Sequence, residues 1–337
     1  MENGMKAVTF TKEGGIKLKN VPIPENAAPG HLLVKMEACA ITQADKAIIA
    51  GVIPKGSGPE SQYDICGASG AGMVMAIGDG VPKSFQGKKV AISRSLQMSD
   101  QLVGTWCPYA HLHYLQCAIL PDDADMSAYS GSLVSAITPY SCLQQILEDG
   151  HKGIINTAAT SATGLAMLAF CQAYNIPNIS FARNEASKQK LEAMGATNIL
   201  VQTDENFKIQ LSEMADELST TGIFDGVGGD LINGILEALP NNSTIYSYGY
   251  LGGNTPYSMP GRLLMIKGIT LRGFANIRSK TVQDPKRLEK ALNDISKVLH
   301  MPHFETKTGK LFKLEDINEA LKFAEGHGEK AVLSPWL

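Results

Sequence analysis

An α/β protein built of two unlike parts is what this sequence predicts, on three observations. From Lys152 onward, short β-rich runs alternate with helical runs of about 10 to 15 residues, as βαβ units on a parallel sheet do. Roughly the first 120 residues are instead rich in Gly and Pro, with alternating runs at Leu32–Met36, Met73–Ile77 and Lys89–Ser93. Those runs read as an irregular β domain with weak helical signal. The tail from about Asn276 carries amphipathic segments at Pro285–Val298 and Leu314–Ala324 and a short strand at Lys330–Leu333.

Within the alternating part the elements follow in order. Strands are expected over Gly153–Ala158, Asn178–Ala182, Asn198–Val201, Gly222–Val227, Thr244–Gly249 and Ile269–Phe274. Helices are expected over Ala162–Tyr174, Ala186–Met194, Phe207–Leu218, Leu231–Leu239 and Gly261–Lys267. Six strands joined by right-handed crossovers predict a doubly wound, dinucleotide-binding sheet. The tail is expected to pack back on the first domain, leaving the cleft between domains as the default ligand site.

Composition narrows the function classes. The chain has 337 residues, 44% hydrophobic and 19% charged, with 30 Lys+Arg against 33 Asp+Glu and a net charge of −3. That suits an ordinary globular protein of about two domains, and it excludes disorder, collagen and coiled coil. With no basic excess, neither nucleic-acid binding nor a polybasic membrane anchor is expected. Met1–Phe10 has Lys6 inside it and no apolar core of signal-peptide length, so a cytoplasmic protein is expected. Six scattered cysteines without a CxxC pair read as reduced, buried thiols. The uncharged stretches Met126–Leu147 and Gly153–Ala182 contain too many Ser, Thr, Asn, Gln and Pro residues for membrane spans, and read as buried strand, turn and helix.

The strongest local signal is Ile154-Ile155-Asn156-Thr157-Ala158-Ala159-Thr160-Ser161-Ala162-Thr163-Gly164, an apolar strand running through a small-residue turn into a helix. Small residues let backbone N–H groups and a helix N-terminus approach a pyrophosphate. Gly164 remains of the usual glycines, Ala158 and Ala162 stand in for others, and Ser161 and Thr163 offer hydroxyl donors; Thr160, Ser161, Ala162 and Thr163 are the candidate contacts. A tightly packed turn without a ligand is the alternative. The second strand ends Ala182-Arg183-Asn184, where an NAD site would place a carboxylate for the ribose 2′-OH. Arg183, with Lys188 one turn into the next helix, supplies cations for a 2′-phosphate instead, so NADPH is expected over NADH. Solvated surface charges are the alternative for these two. Gly228, after the fourth strand, and Tyr248, Gly249 and Tyr250, after the fifth, lie where ligands cross the carboxyl ends of parallel strands.

Met5-Lys6-Ala7-Val8, Leu33-Val34-Lys35-Met36-Glu37-Ala38-Cys39-Ala40-Ile41, Gly87-Lys88-Lys89-Val90 and Phe224-Asp225-Gly226-Val227-Gly228-Gly229 together resemble the medium-chain dehydrogenase/reductase superfamily, over nearly the whole chain. Gly104-Thr105-Trp106 before Tyr109-Ala110, with Lys330-Ala331-Val332-Leu333 at the end, is most similar to its zinc-independent quinone oxidoreductase branch. The resemblance implies a GroES-like catalytic domain of residues 1–122 and 276–337, an NADPH-binding Rossmann domain at 123–275, and a homodimer through the edge strand near Ile269–Phe274. It also implies Thr42 as a catalytic residue beside the nicotinamide, with Gln43 and Asp45 as its catalytic polar support, and Thr138, Phe274 and Lys330 completing the cofactor set. Asp45 is equally readable as a helix N-terminal charge, and Thr138 as a core-facing hydroxyl.

Where the zinc enzymes of this superfamily place a Cys-His pair and a Gly-His-Glu, this chain has Thr42-Gln43 and Gly67-Ala68-Ser69, and the four-cysteine lobe is missing. No metal is therefore expected, and His111 and His113 are a poor substitute pair. Without a Lewis acid, the expected chemistry is hydride transfer from NADPH to a small-molecule acceptor that is already electron-poor, a quinone or an activated alkene or carbonyl. A 2-enoyl-thioester reductase and a non-catalytic NADPH-binding protein are the alternatives. The tyrosine that enoyl-thioester reductases carry after a glycine is absent from Gly51-Val52-Ile53, and Ser69 stands where Glu is common.

Overall fold

The computed structural model describes residues 4–11, 15–51, 61–97, 99–325 and 330–337. Val52 and Ile53 lie outside them. The chain divides into two compact units: Met1–Val134 with Leu288–His300 and Glu305–Leu337, and Ser135–Arg287 with Met301–Phe304. Sequence reading sets the divisions at 122/123 and 275/276. Those of the structure at 134/135 and 287/288 fall inside helices, which the Gly/Pro content of the flanking segments does not signal.

In the first unit β1 (Gly4–Phe10) and β2 (Ile16–Pro22) form an antiparallel hairpin. β3 (His31–Ala40) leads into the short helix α1 (Gln43–Ile49), and β4 (Ser69–Ile77), β5 (Lys89–Ser93), β6 (Tyr109–His113) and β7 (Cys117–Ile119) follow. β3 pairs antiparallel with β4 on one side and, over His31–Lys35, with β6 on the other. The alternation at Leu32–Met36 matches this placement: Leu32, Val34 and Met36 are buried while Lys35 is half-exposed.

The stretch Met126–Leu147 departs from expectation. It contains no strand: α2 (Met126–Tyr129) and the 17-residue α3 (Ser132–Glu148) occupy it. Pro139 sits inside α3 and has no N–H to give the Ser135 carbonyl. Among the described residues no helix is long and apolar enough to cross a membrane.

The second unit is built on β8 (Gly153–Asn156), β9 (Asn178–Ala182), β10 (Ile199–Val201), β11 (Thr220–Asp225), β12 (Thr244–Ser247) and β13 (Thr270–Gly273). Its helices are α4 (Ala162–Tyr174), α5 (Glu185–Ala193), α6 (Phe207–Glu217), α7 (Gly229–Ile235), α8 (Gly261–Lys267) and α9 (Lys280–Gln283). All six strands pair in parallel in the order β10-β9-β8-β11-β12-β13. That is the doubly wound arrangement 3-2-1-4-5-6, whose ligand crevice lies at the carboxyl ends where the order reverses, here between β8 and β11. β8 and β9 are buried throughout, as strands covered on both faces must be. β11 stops at Asp225, short of the expected Val227, because the Asp225 carboxylate accepts from the Val227 and Gly228 amides at 3.0 and 3.3 Å and turns the chain.

The tail follows as α10 (Pro285–Val298), β14 (Thr308–Phe312), α11 (Ile317–Glu325) and β15 (Lys330–Leu333). β15 pairs antiparallel with β3, through Val332 with Ala40 and Leu333 with Cys39, so β14 and β15 extend the sheet of the first unit.

Candidate functional site

At the carboxyl end of β8 the chain turns through Thr157–Thr160 into α4. Ser161 is the N-cap: its hydroxyl accepts from the Gly164 amide at 3.0 Å and donates to the Ala158 carbonyl at 2.7 Å. In this structure the Ser161 oxygen caps α4 while its proton goes to the carbonyl of the preceding turn. What the turn leaves uncommitted is backbone. The amides of Ala162 and Thr163 have no hydrogen-bond partner among the described residues, and they open the positive end of a 13-residue helix. Gly164 does not face a ligand. A Cβ there would overlap the Ala158 carbonyl oxygen and lie 2.8 Å from its carbon, so Gly164 serves close packing of helix on turn.

Asp225 organises the neighbouring strand ends, and sequence reasoning missed it. Fully buried, it accepts from the Thr157 hydroxyl at 2.7 Å and the Tyr257 hydroxyl at 2.8 Å, besides the two amides of its own turn. Tyr257 in turn shares a 2.7 Å hydrogen bond with Ser247. Burial, with the Asp225 charge beside it, pushes the Tyr257 phenol up to about 12, although Ser247 pulls it down. An acid ending a buried strand ahead of Gly226-Val227-Gly228-Gly229 was the available signal.

These groups border an open cavity of about 440 Å³ lined in part by Gly228, Tyr248, Gly249, Tyr250 and Tyr257. The Tyr248 ring stacks on Phe224 with centroids 4.0 Å apart, and its hydroxyl is buried near Ser161 without a partner at hydrogen-bonding geometry. Gly226 makes room for it, since a Cβ there would lie 2.6 Å from Tyr248 Cζ. Gly249 packs against the Gly226 carbonyl, whereas Tyr250 is exposed. Phe274, just past β13, is half-buried and anchored by its amide to the Ser247 carbonyl at 2.8 Å.

Arg183 projects from the end of β9, exposed, directly after buried Ala182. Lys188 is half-buried and pairs with Glu185 at 3.4 Å. Lys190, not anticipated from sequence, donates to the Thr160 carbonyl at 3.0 Å and so braces the turn. Thr138 lies half-buried on α3, immediately before Pro139.

In the first unit, Thr42 and Asp45 form a capping box on α1. The Thr42 hydroxyl donates to Asp45 Oδ2 at 2.6 Å, the Thr42 amide donates to the same oxygen at 2.8 Å, and the Ala68 amide donates to Oδ1 at 2.8 Å. Burial pushes the Asp45 carboxyl up, opposed by Thr42, by Arg94 and by the Ala68 amide. Thr42 therefore offers a ligand a lone pair, not a proton. Gln43 is exposed at the first helical position. Ser69 donates to the Ser130 carbonyl at 3.0 Å. Lys330 starts β15 with its Nζ buried against Gly131 and without a hydrogen-bond partner among the described residues, and burial pulls its amine down to about 8. Among the described residues no group of three or more His, Cys, Asp or Glu is placed to hold a metal ion. All six cysteines are buried, and none forms a disulfide among the described residues.

Two family profiles match the chain: "Alcohol dehydrogenase GroES-like domain" over residues 28–136 and "Zinc-binding dehydrogenase" over residues 162–296. Among curated proteins, the mitochondrial enoyl-[acyl-carrier-protein] reductase of Arabidopsis thaliana is 23% identical over 80% of this chain and 71% of its own length. Quinone oxidoreductase-like protein 2 homolog of Nematostella vectensis is 25% identical over 88% and 79%. Among solved structures, the quinone oxidoreductase of Pseudomonas syringae superposes with a TM-score of 0.72 at 19% identity, over 98% of this chain and all of the other; a likeness at that identity bears on the fold.

Proposed function

Because this chain belongs to the medium-chain dehydrogenase/reductase superfamily, in its quinone oxidoreductase branch, we propose that it is a zinc-independent, NADPH-dependent oxidoreductase acting on a quinone or an activated alkene or carbonyl such as an α,β-unsaturated ketone or aldehyde. The observation that carries the cofactor is the start of α4: two amides without partners at a helix N-terminus, bordered by the buried, unsatisfied Tyr248 hydroxyl. An anion is what such a turn accepts. NADPH, when bound, supplies the hydride.

The residues present fit that group. Ala162 and Thr163 would hold its pyrophosphate, with Tyr248 as an added donor and Lys190 keeping the turn in place. Arg183 and Lys188 would face the 2′-phosphate. Thr160, Gly228, Gly249, Tyr250, Phe274 and Thr138 line the path we assign to the rest of the cofactor. In the first unit Thr42 would accept from a ligand N–H or O–H, held in place by Asp45, and Gln43 is the adjacent polar group. Lys330 has a free ammonium for an anionic ligand group. At the aligned positions Thr42-Gln43 and Gly67-Ala68-Ser69 offer no thiolate, imidazole or carboxylate, so nothing there can ligate zinc. A quinone or enone accepts hydride without that polarisation.

The test is NADPH oxidation with a simple quinone, an α,β-unsaturated ketone and an enoyl-CoA supplied separately, with products identified. Saturation of the ketone C=C bond establishes ene reduction, and quinone-only turnover establishes quinone reduction. Turnover of enoyl-CoA alone moves the chain to 2-enoyl-thioester reduction, the reading that the Arabidopsis relative favours. Tight NADPH binding with no turnover overturns the enzymatic reading in favour of a binding protein.

Arg183→Ala should weaken NADPH binding about 10- to 100-fold, roughly 1 to 3 kcal/mol, and leave NADH nearly unchanged. Equal loss for both cofactors in titration calorimetry removes the 2′-phosphate assignment.

A homodimer belongs to the same proposal. β13 is an edge strand, and α8 beside it leaves Met265 80% and Ile266 65% exposed. An open strand edge flanked by apolar side chains suits a second copy of the chain. Sedimentation should give the mass of two chains for the native protein and of one for Met265→Asp; a native monomer sinks the dimer.

A further inference from the structure

We propose that His111 and His113, clustered with His31, form an acid-sensitive latch, which holds the turns before β3 and after β6 while the rings of His111 and His113 are neutral and releases them when those two rings are protonated. His31 stands directly opposite His113 in the β3–β6 ladder, and His111 lies two residues away on the same face. The His31 ring centroid is 5.3 Å from each of the others, edge-on. Among the described residues β6 forms a ladder with β3 and no other strand, and its other edge carries the His111 amide's 2.8 Å bond to the Leu102 carbonyl.

The hydrogen bonds give the cluster its sign. The Ala28 amide donates to His111 Nε2 at 2.8 Å, and the Leu115 amide donates to His113 Nδ1 at 3.2 Å. A backbone N–H can only donate, so both ring nitrogens must be bare, which puts the proton on Nδ1 of His111 and on Nε2 of His113. A second proton on either ring sets N–H against N–H. The nitrogens of His31 are engaged by the Pro29 carbonyl at 2.8 Å and the Ser99 hydroxyl at 2.9 Å.

The surroundings offer little to offset the added charge. Asp100 favours a charged His111, but no carboxylate hydrogen-bonds either ring among the described residues. His113 stacks on Tyr114, with centroids 5.0 Å apart, and the Glu289 charge acts on that phenol. Burial, together with the neighbouring His31 ring, pushes His111 and His113 each down to about 4. A ring released by local opening returns toward 6.5, so the open form binds more protons. The latch is therefore fully closed above about pH 6.5 and weakens as pH falls toward 4.

The experiment is amide hydrogen exchange on the whole protein between pH 7 and pH 5, corrected for intrinsic rates. Protection at Ala28 and Leu115 should fall roughly tenfold or more over that range, while Val74 in β4 keeps its protection. His111→Gln with His113→Asn places a carbonyl oxygen where each bare nitrogen stood, and its protection should stay flat to pH 5. Flat protection in the native protein overturns the latch, as does an equal fall in the double variant. Should that variant fail to fold, NMR titration of the native rings decides: both titrating near 6.5 overturns the proposal, and depressed values sustain it.

Discussion

Gly164→Ala is expected to destabilise the second unit by about 3 kcal/mol and to abolish cofactor binding with it. The added methyl has nowhere to go. Its nearest neighbours are the carbonyl oxygen and carbon of Ala158 and the Cα of Ala159, all backbone, and none can swing aside as a flexible side chain would. Relief requires moving the turn off α4, which breaks the Ser161 cap and displaces the amides of Ala162 and Thr163. From sequence alone a bulky residue here should block the cofactor and leave the fold intact; the structure changes that expectation, because Gly164 is covered by its own turn. Thermal unfolding of the variant beside the native chain checks it. A midpoint within about a degree of native would show that the turn is looser than described.

Asp225→Ala is expected to have an effect of similar size, about 3 kcal/mol, by a different route. It leaves the Thr157 and Tyr257 hydroxyls and the Val227 and Gly228 amides without their acceptor, at a position closed to water. The Gly226–Gly228 turn, where Gly228 has a φ of +100°, then loses the carboxylate that holds it. Denaturant unfolding should show the loss, and NADPH affinity should fall as the turn loosens. Asp225→Asn keeps one acceptor oxygen and should lose less than half as much. The Tyr257 phenol, held up to about 12 partly by the Asp225 charge, should ionise at lower pH in Asp225→Asn; an unmoved titration would separate the two groups.

Legibility of the fold followed how local its causes are. Ala162–Tyr174 and Asn178–Ala182 were bounded from sequence as the structure has them, because a run of helix formers bounded by Ser161 and Asn175, and an apolar run after a proline, specify themselves over a few residues. α3 was not found. It carries no charged residue before Glu148 and contains Pro139, so neither a polar face nor an unbroken helical run marks it. The site divides the same way. The small-residue turn and the strand-end glycines are visible in sequence because their sizes are, whereas the directions of hydroxyl protons are not: Ser161 gives its proton to the Ala158 carbonyl of the preceding turn, and Thr42 gives its proton to Asp45 in its own capping box.

By itself, then, the sequence determined the alternation of strand and helix, the place of the small-residue turn and the arginine after β9, since periodicity and side-chain size act within a few neighbours. Only the tertiary structure decided that Asp225 accepts a hydrogen bond from Thr157, 68 residues away, that Lys330 Nζ is buried against Gly131 without a partner among the described residues, and that three histidines share one end of the β3–β6 ladder. A hydrogen bond goes to whichever acceptor folding brings within about 3 Å, and spacing along the chain carries no record of that choice.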